Sequence, residues 1–495
     1  MSGEMMPNWL YKRAFLSPER TALEFETEKI SFFELHERAL SLARKLASFP
    51  IKEGDYVSFL LKNCPHTVEL IHALEYIGAV TVPLNNRLAP AELRFQLEDS
   101  NTALLIYDES FSSQAIEAAE PLKSVKAMAI HELGQLAESD FQPKTEINLD
   151  SNHTIMYTSG TTGSPKGVIL TYGNHWWSAI GSALNLGLQE SDKWLCTVPM
   201  FHMSGLSILM RSVIYGIPVV IHDAFDPDKA NQAIHSNGVT IVSVVSAMLA
   251  RMVHALENKY PESFRCMLLG GGPAPKPLLE ACTEKNIPVF QTYGMTETAS
   301  QIVTLSSEYM LKKIGSAGKP LFHAQLKIEK DGAIAEPHEV GEIVVKGANV
   351  TKGYLRRKQA TEQAIKNGWL YTGDLGYLDE DGFLYVVDRR SDLIISGGEN
   401  VYPAEIEATL LSHPSIVEAG VTGREDERWG QVPIAFVVKN DKSVTEEQLK
   451  TFCREQLAGY KVPKNIYFVH ELPRNGANKL MRRELIQFLK EDKRC

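Results

Sequence analysis

Apolar positions along this chain follow two rhythms. Between residues 31 and 46 they recur every three or four places, so that Leu35, Ala39, Leu42 and Leu46 share one stripe. Ser31-Phe32-Phe33-Glu34 stands just ahead of them. A serine hydroxyl that takes the N–H three residues on, with a glutamate reaching back, is a capping box, and it predicts a helix beginning there. Residues 56–61, 79–84 and 103–107 are instead short apolar strands, with a helical stretch over 68–77 between the first two. Strands alternating with helices predict a parallel, doubly wound sheet. The same alternation returns at 193–198, 218–222, 240–245, 266–269 and 289–292. From Gly318 onward the runs shorten and alternate, at 325–328, 341–346 and 382–387, which predicts a small antiparallel unit.

Five polar residues, Asp388-Arg389-Arg390-Ser391-Asp392, then separate two strand-like runs. A surface turn and a domain boundary suit them equally well. Beyond them, apolar runs at 416–422 and 432–438 and helical patterns at 403–412 and 445–457 suffice for a separate α+β core. The expected architecture is α/β: a large N-terminal domain over residues 1–390, made of doubly wound sheets plus a small β-barrel-like unit, then a small C-terminal α+β domain over 391–495. A chain of 495 residues exceeds one ordinary core and allows two or three domains.

Charge and cysteine narrow the classes. The net charge of −10 argues against non-specific nucleic-acid binding, so any anionic ligand must be held by local donors. Six cysteines show no C-x-x-C pair and no metal spacing; in a chain this long they read as reduced thiols and predict a cytoplasmic protein. Residues 1–10 carry Glu4 and no apolar stretch, so no signal peptide is expected. No apolar run approaches the roughly 20 residues of a membrane-spanning helix, so no integral membrane segment is expected either.

The candidate chemistry centres on Tyr157-Thr158-Ser159-Gly160-Thr161-Thr162-Gly163-Ser164-Pro165-Lys166-Gly167-Val168. Glycine lets backbone approach an anion closely. Successive N–H groups and hydroxyls can then wrap phosphate oxygens while Lys166 adds a point charge. Pro165 stands where a Walker A loop requires glycine, so the stretch is a phosphate loop of another kind.

This stretch resembles the signature of the adenylate-forming superfamily of acyl-CoA synthetases, adenylation domains and luciferases. Further stretches match that superfamily in the same order. They are Gly270-Gly271-Gly272-Pro273-Ala274-Pro275, Tyr293-Gly294-Met295-Thr296-Glu297, Tyr371-Thr372-Gly373-Asp374, the run from Asp388 to Asn400, and Leu472-Pro473-Arg474-Asn475-Gly476-Ala477-Asn478-Lys479. Within the superfamily, Phe201-His202-Met203-Ser204-Gly205 and Thr298-Ala299-Ser300-Gln301-Ile302-Val303-Thr304 are most similar to the o-succinylbenzoate–CoA ligase branch of menaquinone biosynthesis. A CoA ligase for another aryl or medium-chain acid, or an enzyme loading a carrier protein, is the alternative.

The resemblance implies ATP, Mg²⁺ and coenzyme A as reactants or cofactors, a small carboxylic acid as substrate, and no nucleic acid; a homo-oligomer stays open. It assigns Lys479, Thr296 and Glu297 to catalysis, with Glu297 as the metal ligand. It assigns Thr158, Ser159, Gly160, Thr161, Thr162, Gly163, Lys166, Gly270, Gly271, Gly272, Tyr293, Gly294, Asp374 and Arg389 to the nucleotide. His202, Ser204, Arg211, Ser300 and Gln301 fall to the acyl group, and Ser391 to the hinge of a mobile C-terminal domain. Taken singly, these residues have plainer readings. Lys479 is a surface lysine, Glu297 a helix-start carboxylate, Asp374 an Asx turn, Arg211 a snorkelling cation and His202 a core histidine. Most relatives place glycine before the lysine where this chain has Asn478, and Asp or Lys where it has Ser391.

Overall fold

The computed structural model describes residues 3–158, 165–271, 274, 276–388, 393–440, 443–473 and 480–491. It divides into two compact units. The first comprises 1–86, 99–156 and 167–387; the second comprises 87–98, 157–166 and 388–495. The proposed break after residue 390, with the hinge Ser391, falls in 389–392, outside the described residues. It stays a proposal.

In the first unit the capping box forms as expected. Ser31 Oγ accepts from Glu34 N at 3.1 Å, and Glu34 accepts from Ser31 N at 2.7 Å, opening the helix Phe32–Leu46. The helix Pro65–Ile77 begins on a proline, whose fixed φ suits a first turn, and stops at Gly78, which takes φ +78. It is buried almost all round, its polar residues Glu69, His72 and Glu75 included. One six-stranded sheet runs in the order Lys166–Thr171, Asn152–Thr158, Val80–Pro83, Tyr56–Leu60, Leu104–Tyr107, Lys126–Ala129.

The larger sheet has a parallel centre. Strands β1 (Trp194–Cys196), β2 (Ile241–Val245), β3 (Cys266–Gly270) and β4 (Val289–Met295) pair in that order, all parallel. Helices α1 (Tyr172–Leu186) and α2 (Met203–Tyr215) pack on one face, in a core with Leu35, Ile71, Trp194 and Leu206. The other face buries Leu195, Val242, Met267 and Leu249. Burial on both faces explains why these strands read as largely apolar runs without strict alternation. Beyond β4 the chain reverses into the antiparallel strand β5 (Ser300–Leu305). The antiparallel strands after Gly318 then continue this same sheet, joined through Ser316–Pro320, around a separate apolar cluster with Ile328, Ile343 and Leu384. The sequence pattern gave no sign of the opening helix Trp9–Leu16 or the hairpin Thr21–Phe25 with Glu28–Ser31.

The second unit has a five-stranded sheet with Gly430–Lys439 at its centre, backed by the helices Pro403–Leu411 and Glu446–Gln456. Lys461 is 3% exposed, and its ammonium donates to Glu92 at 2.6 Å and to Glu405 at 2.8 Å. Burial works against its charge, yet the two carboxylates outweigh it and raise the Lys461 pKa. Arg87 reaches Glu399 at 2.8 Å, and Arg482 grips Glu407 with two nitrogens at 2.7 and 2.6 Å.

A buried polar network crosses the first unit. His72 Nδ1 lies 2.8 Å from one oxygen of Glu75 and His153 Nε2 2.8 Å from the other, and none of the three is more than 2% exposed. Burial alone would raise the Glu75 pKa; the charge of His72 and the bonds from both imidazoles hold it at about 2. A carboxylate depressed from an unfolded value of about 4.3 contributes stability above that pH and loses it as the pH falls toward 2. The shift corresponds to about 3 kcal/mol. Glu75→Gln should therefore lower the urea midpoint markedly at pH 7 and flatten its fall between about pH 4.3 and 2. An unchanged acid slope in the variant would assign that slope to other groups.

Candidate active site

The parallel strands β2, β3 and β4 all end on one side of the sheet, at Val245, Gly270 and Met295. In open α/β sheets ligands bind beyond such carboxyl ends. Gly270 pairs with Val245, and Gly271 follows at φ +84, where a side chain would be strained and a Cβ would lie 3.2 Å from Val245 Cγ1. Gly272 lies outside the described residues, as do Ser159, Gly160, Thr161, Thr162 and Gly163. Thr158 ends the strand Asn152–Thr158, and Lys166 opens its sheet neighbour Lys166–Thr171, so the two bracket the proposed phosphate loop. Arg389 and Lys479 are likewise outside the described residues.

The reversal from β4 to β5 is tightly built. A Cβ on Gly294 would lie 1.9 Å from the carbonyl oxygen of Ser300, so only glycine fits. Thr296–Thr298 make a single helical turn, and Ala299 and Ser300 follow at φ +49 and +96. Left-handed backbone at two non-glycine residues costs roughly 1–3 kcal/mol each and persists only where the surroundings enforce it. Here they do. Thr298 Oγ1 accepts from Met295 N at 2.9 Å and donates to Ser300 O at 2.7 Å. Asn349 donates to Thr298 O at 2.8 Å and Ser178 to Ala299 O at 2.5 Å.

This turn gathers several of the expected residues. Glu297 is 6% exposed, accepts from the Tyr354 hydroxyl at 2.9 Å through Oε1, and offers its carbonyl to Thr351 N at 2.7 Å. Thr296 beside it is half-buried. Tyr293 donates to Asp374 Oδ2 at 2.7 Å, tying the proposed adenine-stacking ring to the proposed ribose carboxylate. Asp374 N donates in turn to Thr372 Oγ1 at 3.1 Å. A hard carboxylate oxygen on a fixed turn suits Mg²⁺, which commonly takes one or two carboxylates together with phosphate oxygens. Glu297 meets that requirement, since a phenol hydrogen bond neither removes its charge nor uses all its lone pairs.

The acyl-side residues have distinct surroundings. Gln301 pairs with Gly294 in register, is 1% exposed, and neither polar atom of its amide has a hydrogen-bond partner among the described residues. Ser300 is half-buried. His202 is the residue ahead of α2, half-buried against Phe201, and Ser204 is exposed. Arg211 is 1% exposed, and its Nε and Nη2 have no hydrogen-bond partner among the described residues. Its guanidinium lies 5.2 Å from the Trp194 ring, which donates to Ser243 Oγ at 3.0 Å. Ser243 is two residues before Val245, so this region lies about 7 Å down the strand from the Gly270 row. Among the described residues no carboxylate pairs with Arg211. Burial lowers its pKa, partly offset by Tyr215 beside it. Tyr354, Thr351, Asn349, Trp194 and Ser243 were not anticipated. The one sequence signal was the pair Asn349 and Thr351, polar residues in a loop bounded by Gly347 and Gly353 that turn out buried.

Residues 10–355 match the AMP-binding enzyme family and residues 405–479 the AMP-binding enzyme C-terminal domain, so the chain belongs to the AMP-binding enzymes. It is 62% identical to a 2-succinylbenzoate–CoA ligase of Geobacillus kaustophilus (strain HTA426), over 97% of each chain. A double mutant of o-succinylbenzoate CoA synthetase from Bacillus subtilis, bound with its product analogue OSB-NCoA, superposes with a TM-score of 0.94 at 51% identity, over 98% of this chain and 99% of that one. The same Bacillus subtilis enzyme in complex with ATP and magnesium ion gives a TM-score of 0.77 at 50% identity, over 98% and 100%.

If Asp374 accepts the ribose hydroxyls, Asp374→Asn keeps its shape and removes its charge. Hydrogen bonds to a charged group contribute about 1.5–3 kcal/mol, so the Kd for ATP should rise roughly 10- to 150-fold. Titration of ATP by calorimetry measures this directly, and an unchanged Kd would exclude the ribose role.

Proposed function

We propose that this chain is an ATP-dependent acid–thiol ligase that converts o-succinylbenzoate into o-succinylbenzoyl-CoA through an acyl-adenylate, in menaquinone biosynthesis. The observation that carries the choice of acid is Arg211. A buried guanidinium without a carboxylate partner is costly, and it is stabilised when an anion joins it. o-Succinylbenzoate has two carboxylates and only one is activated. The other suits a bidentate arginine, whereas a simple benzoate or fatty acid leaves the cation unpaired. The buried amide of Gln301 and the groups of Ser300, His202 and Ser204 would complete the acyl site. The identities and coverage of the relatives named above support the same reading.

The chemistry then runs in two steps. A carboxylate oxygen attacks the α-phosphorus of ATP and the bond to pyrophosphate breaks, giving acyl-adenylate. The CoA thiol then attacks the acyl carbon, loses its proton, and AMP leaves with its electron pair. The first step brings anions together, so it needs fixed positive charge and alignment. Lys479 would supply charge between substrate carboxylate and α-phosphate. Glu297 would hold Mg²⁺, which neutralises phosphate charge when bound, with Thr296 beside it. Residues 158–163 and Lys166 would cradle the phosphates. Gly270, Gly271, Gly272 and Tyr293 would enclose the adenine, with Gly294 allowing the turn that follows. Asp374 and Arg389 would take the ribose. Ser391 would serve as the hinge that withdraws Lys479 before the thiol step. Among the described residues no helix is long and apolar enough to cross a membrane, and the five described cysteines are free, which supports a cytoplasmic location.

Arg211→Ala should raise KM for o-succinylbenzoate about 10- to 150-fold while leaving turnover of a simple benzoate or fatty acid unaltered. Pyrophosphate release over such a panel, with and without CoA, measures both; an equal effect on every acid would sink the diacid assignment. Lys479→Ala should abolish adenylate formation yet spare thioester formation from supplied acyl-adenylate. Equal loss of the two half-reactions in rapid-quench assays would contradict a two-position mechanism.

A further inference from the structure

The loop from Gly347 to Leu355 touches Glu297 twice. Thr351 N donates to the Glu297 carbonyl at 2.7 Å, and three residues on the Tyr354 hydroxyl donates to Glu297 Oε1 at 2.9 Å. One loop thus holds both the backbone and the carboxylate of this residue. The same loop braces the strained turn beyond it, because Asn349, fully buried, donates to Thr298 O at 2.8 Å and to Gln301 O at 3.4 Å.

The loop is itself fixed from outside. Asn174, in the first turn of α1, donates to Ala348 O at 3.0 Å and Val350 O at 2.9 Å. Thr351 Oγ1 donates to Ile169 O at 2.5 Å, Ile169 N to Gly353 O at 3.0 Å, and Leu355 N to Gly167 O at 2.8 Å. Tyr354 N donates to Thr361 Oγ1 at 2.9 Å. The phenol therefore approaches Glu297 from a loop whose backbone is anchored on both sides of Tyr354. A glutamate has three rotatable side-chain bonds, and its carboxylate is a precise ligand only when something selects one rotamer.

We infer that Tyr354 is a positioning residue that sets the rotamer of Glu297 and so determines how tightly the nucleotide-bound divalent cation is held. This inference rests on the reading of Glu297 as the metal ligand. Outer partners of ligating carboxylates typically change metal affinity by about 10- to 100-fold when removed. Tyr354→Phe deletes one hydroxyl and keeps the ring, so the packing of the loop is retained.

The test uses Mn²⁺ as the probe, with α,β-methylene-ATP as a nucleotide that cannot release pyrophosphate and so cannot adenylate the acid. Electron paramagnetic resonance measures Mn²⁺ bound in the ternary complex for the native chain, Glu297→Gln and Tyr354→Phe. Tyr354→Phe should weaken Mn²⁺ about tenfold or more. Its adenylation rate should recover at high Mg²⁺, and thioester formation from supplied acyl-adenylate should stay at the native rate. Native Mn²⁺ affinity in Tyr354→Phe, with affinity lost in Glu297→Gln, overturns the positioning role alone. Native affinity in both variants overturns the metal assignment of Glu297 itself. Equal loss of both half-reactions with a lowered thermal midpoint and no recovery at high Mg²⁺ reduces Tyr354 to a packing residue and also overturns the inference.

Discussion

The reversal between β4 and β5 is the constraint on which the rest of the site depends. Within eight residues the chain must end a parallel strand, turn through left-handed backbone at Ala299 and Ser300, and return antiparallel. Gly294 makes this possible because any side chain there would collide with Ser300 O. The return path places Tyr293 toward Asp374, Glu297 toward Tyr354, and the amide of Gln301 in the interior. The groups proposed for nucleotide, metal and acid are thereby mounted at one turn, so their spacing is fixed by covalent geometry as much as by packing. The strain at two residues is the cost of that compactness, offset by hydrogen bonds from Thr298, Ser178 and Asn349.

Electrostatics in this protein is local. A chain of net charge −10 has no general attraction for ATP or for a diacid. Binding must come from individual donors in places where water screens them little. In the proposed acyl site Arg211, beside the Trp194 ring, is the plainest case, since its guanidinium is already buried. A site prepared in this way discriminates by what it leaves unsatisfied when the wrong molecule enters.

Much of this was legible in the sequence, for identifiable reasons. The parallel strands appear as largely apolar runs because both their faces are buried, and the Ser31–Glu34 capping box is written in neighbouring residues. Glu297, Asp374, Gln301 and Arg211 were singled out through the family resemblance, since Glu297, Asp374 and Arg211 taken singly also fit a helix start, an Asx turn or a snorkelling cation. Tyr354 was not legible, because its contact with Glu297 spans 57 positions and follows no period. The left-handed backbone at Ala299 and Ser300 was equally hidden, since neither residue type announces it. The antiparallel strands were anticipated as a unit, but only their register shows that they prolong the large sheet.

The ion triad of Lys461 bears on how the molecule is made. Glu92 belongs to a segment, 87–98, that packs with residues 388–495 although about three hundred positions separate them. A ribosome releases that segment long before its partners exist, so the smaller body cannot be completed until residues 388–495 have been made. A fragment cut at residue 388 would leave Lys461 with Glu405 alone and would lack the arginine that meets Glu399. The smaller body is therefore not a transplantable cassette. Exchanging it between relatives requires carrying along a short strip of sequence from near the other end of the chain.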